Sequence, residues 1–178
     1  MKKKDLLIAF IILSLTAVSR IWIPINNFSP IGAMALMGGA FFGRRLLAFA
    51  LPLLSLFIGD LVLTQVSAAH GSYLFSANFF MVYAAFAVIV LLGIAISQKL
   101  DLKRVFGMSL VSAAVFFILT NFGAWLFFGM YPMNIGGLMA SFAAGLPFLQ
   151  NTLISQIAFS VILYFGLQWA FNRKLKLA

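Results

Sequence analysis

Arg20 and Asp60 are the two ionisable side chains that fall inside long apolar stretches of this chain. A charge in that setting is costly and normally marks either a pair or a ligand site. Both lie near corresponding ends of their stretches. They therefore admit two uses: an ion pair that locks two helices, or two groups set beside a bound molecule. Amides supply further polarity at Asn78, Asn121, Asn151 and Gln156. Trp125 follows Asn121 by four residues, which puts an amide and an indole on one helix face. An apolar frame with a few convergent polar groups is the chemistry of small-molecule recognition. Each amide taken alone also has a blander use, as a helix cap or an interhelical hydrogen bond.

Groups for covalent chemistry are sparse. His70 is the single histidine and the chain has no cysteine, so a three-ligand zinc site and thiol catalysis are excluded. No P-loop, acidic metal–phosphate motif or Gly-rich dinucleotide turn is present. The expectation is a protein that is not an enzyme and uses no cofactor or metal. An outer-surface enzyme working through Asp60 or His70 is the minor alternative. Titratable groups do not line a path across the inner half, which disfavours a self-sufficient proton-driven pump.

The elements that must hold these residues are read from composition and charge. The chain is 64% hydrophobic and 8% charged, far from the roughly 25% charged residues of a soluble domain. Eleven cations fall in four clusters: Lys2, Lys3 and Lys4; Arg44 and Arg45; Lys99, Lys103 and Arg104; Arg173, Lys174 and Lys176. Cationic loops stay on the cytoplasmic side, so four labels imply three excursions. The predicted fold is an all-α polytopic membrane protein, a six-transmembrane-helix bundle with both termini cytoplasmic. Cations confined to helix ends read as topology signals and lipid-headgroup contacts, and exclude a nucleic-acid partner.

The spans are expected at about 6–23, 31–43, 46–64, 77–97, 105–128 and 148–171, in one transmembrane domain covering 1–178. The first is read as a retained helix because no small-x-small cleavage site follows it. The second is short, about 20 Å at about 1.5 Å per residue. Pro52 should kink the third. Residues 133–146 are expected to form an interfacial or half-inserted segment broken by Gly136, Gly137 and Gly145. On the second span Ala35, Gly39 and Gly43 recur at four-residue spacing and flatten one face. That face suits either packing within the bundle or docking of another membrane protein.

Several stretches carry a resemblance. Asn27-Phe28-Ser29-Pro30, Gly38-Gly39-Ala40-Phe41-Phe42-Gly43-Arg44 and Gly59-Asp60-Leu61 resemble an uncharacterised family of small bacterial membrane proteins. So do Thr120-Asn121-Phe122-Gly123-Ala124-Trp125, Met130-Tyr131-Pro132 and Pro147-Phe148-Leu149-Gln150-Asn151-Thr152-Leu153. More distantly, the size, six passes and Gly-rich second helix look like the S components of energy-coupling factor (ECF) transporters. That resemblance implies capture of a vitamin-like small molecule from outside, then docking on an ECF transmembrane coupling protein driven by two ATPases. It implies a site at the outer ends of helices four to six and the outer loops. Here that region holds Asn78, Asn121, Trp125, Tyr131 and Asn151, with Arg20 and Asp60 as wall or floor. The chain departs from the family at the first helix, where Ala9 is followed four residues later by Leu13 instead of a second alanine. The alternative reading is a non-transporting scaffold or assembly protein that docks its partner through Ala35, Gly39 and Gly43.

Overall fold

The computed structural model describes residues 27–43, 46–66 and 72–170. The expected first span, Arg20, the Arg44–Arg45 pair and His70 lie outside the described residues. Helices α1 (Ile31–Phe42), α2 (Leu46–Val66), α3 (Ala77–Ile96), α4 (Leu102–Phe127) and α5 (Ile135–Ala170) make up the described fold. A short 3-10 turn, Ser97–Lys99, follows α3, and no strand occurs among the described residues. The last four helices are each long and apolar enough to cross a membrane, as in a polytopic membrane protein. Large apolar side chains such as Leu54, Ile58, Leu91, Ile118 and Ile162 point away from the bundle, which suits lipid as the surrounding solvent.

Local chemistry sets the helix ends. Ser76 caps α3, its Oγ accepting from the Phe79 amide at 3.2 Å, and Asp101 caps α4 by accepting from the Arg104 amide at 2.8 Å. Arg104 in turn donates to the Lys99 carbonyl at 2.7 Å, so the basic turn between α3 and α4 is a hydrogen-bonded unit. Such caps typically stabilise a helix by about 1 kcal/mol each. Pro52 sits inside α2, where its missing donor is tolerated, and its ring packs towards Gly38 of α1.

Helix α1 is the centre of the described bundle, with all of its residues buried. It packs on α2, α3 and α5 and runs parallel to α3: Gly32 lies beside Phe86, and Gly39 beside Val90, Gly93 and Ile94. At the crossing two glycines meet. A Cβ on Gly39 would strike the Val90 carbonyl oxygen, and one on Gly93 would strike the Leu36 carbonyl oxygen. Gly39 is therefore spent inside the bundle, against the chain's own α3, and Ala35 is fully buried, so neither residue faces outward. Gly43 terminates α1 with φ 61° and open space around it.

Helix α5 differs from the expected segmentation. Residues 133–146 and 148–171 do not form a broken segment followed by a separate helix; one helix of 36 residues runs through Pro147. The glycines expected to break it lie where neighbours approach closely, Gly136 beside Asn134 Oδ1. Gly137 abuts the Pro132 carbonyl, and Gly145 abuts the Asn121 side chain. Asn134 Oδ1 accepts from the Gly137 amide at 2.9 Å and so starts the helix. At about 1.5 Å per residue α5 is some 54 Å long, well beyond the roughly 30 Å of a hydrocarbon core.

Gly107 makes a useful contrast, since nothing lies within 4 Å of a Cβ built there. Gly107→Ala is expected to raise the thermal midpoint slightly, corresponding to about 0.5–1 kcal/mol of helix propensity. A fall measured by thermal unfolding of the purified protein would contradict the open space assigned to that face.

Candidate functional site

The polar residues singled out by the sequence are distributed over three helix seams. On the seam of α2 and α3, Asp60 is buried and its Oδ2 accepts from the Tyr83 hydroxyl at 3.0 Å. Aromatic rings enclose that pair: Tyr83 packs on Phe79 at 4.1 Å between centroids, and Phe79 packs on Tyr73 and Phe75. The proposed partner Arg20 lies outside the described residues. On the seam of α3 and α4, Asn78 is buried against Gly123 and Met81. Its Oδ1 has no hydrogen-bond partner.

Asn121 and Trp125 share the seam of α4 and α5. Asn121 Nδ2 donates to the Phe117 carbonyl at 2.8 Å, its side chain lies over Gly145, and its backbone carbonyl accepts from Ser141 Oγ at 2.8 Å. Trp125 Nε1 donates to the Pro132 carbonyl at 2.9 Å, which ties the end of α4 to the turn before α5. The amide and the indole thus hold two helices together. Tyr131 is half-buried in that turn, and Asn151 is half-buried well inside α5 instead of opening a helix.

A different group of donors converges at the start of α1. Asn27 adopts a left-handed φ of 58°, a conformation asparagine tolerates better than most residues. Ser29 Oγ then accepts from the Ile31 amide at 3.3 Å. Pro30, which has no N–H to satisfy, opens the helix. Phe28 pins this segment to α5 by packing edge-on against Phe159, 5.7 Å between centroids. The first-turn amides of Gly32 and Ala33 have no carbonyl within the helix to bond. Gln156 of α5 is packed directly on Gly32, and its Nε2 is buried without a hydrogen-bond partner. This cluster lies beside Phe86, halfway along α3. Gln156 turns its own Oε1 toward Gly32, so an acceptor already stands at the positive end of α1, and Nε2 is the donor left over.

Gln156 belongs to a longer pattern visible in the sequence. Thr152, Gln156, Ser160, Tyr164 and Gln168 recur every fourth residue, and all are buried. That periodicity was the available signal, with Gln156, Tyr164 and Gln168 standing beside the serines in the second half of α5. A buried polar group left unmet costs about 1–3 kcal/mol. Among the described residues no group of three or more His, Cys, Asp or Glu gathers to hold a metal.

The profile of the Family of unknown function (DUF6580) matches residues 1–177. No curated protein and no solved structure matches the chain. The chain belongs to the DUF6580 family.

Proposed function

We propose that this family member is a solute-capturing membrane subunit of the ECF importer type, an S-component-like protein that binds a small vitamin-like molecule. One observation carries the binding part: the start of α1 lies halfway along α3, with the Gln156 amide unpartnered beside it. In a bilayer, non-helical backbone at such a depth is tolerated only inside protein or along a polar cavity. Membrane carriers use interrupted helices in this way, aiming the N-terminus at an acidic or carbonyl group of the solute. Gln156 here offers its free Nε2 as a donor, and its Oε1 lies against the Gly32 end of α1. Asn78 adds an acceptor nearer the start of α3. A neutral or zwitterionic solute with an oxygen acceptor matches that set.

The ECF part rests on the size, the Gly-rich helix α1 and the Gly59-Asp60-Leu61 stretch late in α2. In this reading both termini face the cytoplasm of a bacterial cell, and capture occurs from the outer face, at the end where Asn78 lies. A coupling protein with two ATPases supplies the energy. Asn121 and Trp125 position α4 against α5, and the Asp60–Tyr83 pair closes the other side.

Native mass spectrometry of the protein extracted from its own membranes tests the reading. A small molecule should remain bound to the wild type and disappear from Gln156→Leu, while the coupling protein and its ATPases should co-purify with both. Protein that arrives empty, or a bound molecule retained equally by Gln156→Leu, would overturn the assigned site. Absence of the ATPase module would remove the importer assignment.

A further inference from the structure

Below Gln156 the buried row on α5 continues to the far end of the helix. Gln156, Ser160, Tyr164 and Gln168 are 3%, 0%, 0% and 6% exposed. Gln156 Nε2, Ser160 Oγ and Gln168 Oε1 lack a hydrogen-bond partner, and the Tyr164 hydroxyl has only the Gln168 side chain within reach. Ser112 Oγ of α4, in a residue 0% exposed, lacks one too. The antiparallel packing that sets Asn121 on Gly145 and Phe117 on Phe142 carries Ser112 toward the middle of α5.

This state is not general among the buried hydroxyls of the bundle. Ser109 donates to the Val105 carbonyl at 2.7 Å, Thr152 to Phe148 at 3.1 Å, Ser155 to Thr152 at 3.1 Å and Ser141 to Asn121 at 2.8 Å. A helical serine can always fold back onto the preceding turn. Ser160 and Ser112 do not do so. The row spans about 18 Å, more than half of a hydrocarbon core of roughly 30 Å. Successive members stand about 6 Å apart along the axis, a gap suited to a bridging molecule.

We infer that Gln156, Ser160, Tyr164 and Gln168, with Ser112, form a hydrogen-bonding track that holds small uncharged molecules inside the bundle. The track mixes an amide donor, an amide acceptor and hydroxyls that serve as either. Its own members carry no formal charge, and Asp101, the acid that acts on Tyr164, is already paired with Arg104, so it suits a neutral partner with both donors and acceptors. Ordered water and a small polar solute share that chemistry. Buried water typically makes about three hydrogen bonds to groups otherwise unmet. The inference shares Gln156 with the proposed site but stands without the importer reading, because its lower members lie away from the α1 terminus.

Water-edited solid-state NMR of the isotope-labelled full chain in lipid bilayers tests it. If water fills the track, polarisation from water should reach the Gln156 and Gln168 side-chain amides as fast as it reaches exposed Gln98. Tyr164→Phe should then abolish the transfer at Gln168. If a solute fills it, transfer to both amides is lost, and native mass spectrometry shows a neutral molecule that Tyr164→Phe releases. Transfer as slow as at buried Ala113 with no bound molecule would overturn the track. So would fast transfer to Gln168 that Tyr164→Phe leaves unchanged. The wild-type spectrum decides the first point even if the variant fails to fold, and its outcome is independent of whether the ATPase module co-purifies.

Discussion

Gly93→Ala is expected to destabilise the protein by about 3 kcal/mol, the upper range for overpacking a close-packed interior. The new methyl group would meet the Leu36 carbonyl oxygen, with the Ala40 nitrogen and Leu36 carbonyl carbon at 2.9 Å. Backbone atoms cannot rotate aside as a side-chain tip would. Helix α1 must instead move off α3 and release contacts along its length, and every residue of α1 is buried. Close approach of two helices through glycine is a main source of attraction between helices in lipid, so the loss is not offset by hydrophobic reassociation. The reciprocal substitution at Gly39 meets Ile94 N at 3.0 Å and Gly93 Cα at 3.1 Å as well as the Val90 carbonyl, and should behave alike. Thermal unfolding followed by size-exclusion chromatography checks this, with Gly107→Ala as the helical control. A Gly93→Ala protein as stable as wild type would show that α1 and α3 are not in the contact described.

The second large effect is functional. Gly32→Ala is expected to lower retention of the captured solute at least tenfold, about 1.4 kcal/mol, while the bundle stays folded. The added methyl falls on Gln156 Oε1. That oxygen is the end of a flexible side chain, so the structure yields by swinging Gln156 away from the α1 terminus. Helix propensity favours alanine over glycine by up to about 1 kcal/mol, which offsets part of the strain and leaves the fold intact. The donor cluster is what is lost. Occupancy of the purified variant by native mass spectrometry, together with its thermal midpoint, separates the two consequences. Full occupancy would move the binding role away from Gln156, whereas a collapsed midpoint would make the contact a matter of packing.

Much of the helical architecture was legible before any coordinates. Apolar runs bounded by basic clusters mark roughly where helices begin and end, because lipid demands length and continuous backbone bonding. The caps at Ser76 and Asp101, by contrast, came from the structure. The break expected at Gly136, Gly137 and Gly145 did not follow. Glycine lowers helix propensity only modestly, and here Asn134, Pro132 and Asn121 supply the compensating contacts. Asn121 and Trp125 were correctly placed on one face of one helix. What that face met, the Gly145 seam and the Pro132 carbonyl, depends on α5 and was hidden from local spacing.

By itself, then, the sequence determined an all-helical chain with apolar spans, their approximate limits, and the few polar residues they carry. Tertiary structure alone decided three matters. It set the level of α1, whose start lies beside Phe86 instead of at the end of α3. It turned Gly39 onto a glycine of another helix and buried Ala35. It also collected Gln156, Ser160, Tyr164 and Gln168 on the buried side of α5. The reason is common to all three: helices apolar on every side have no polar face to tell inside from outside. Hydropathy reports that lipid surrounds the chain, and only packing between distant segments chooses which face is left to it.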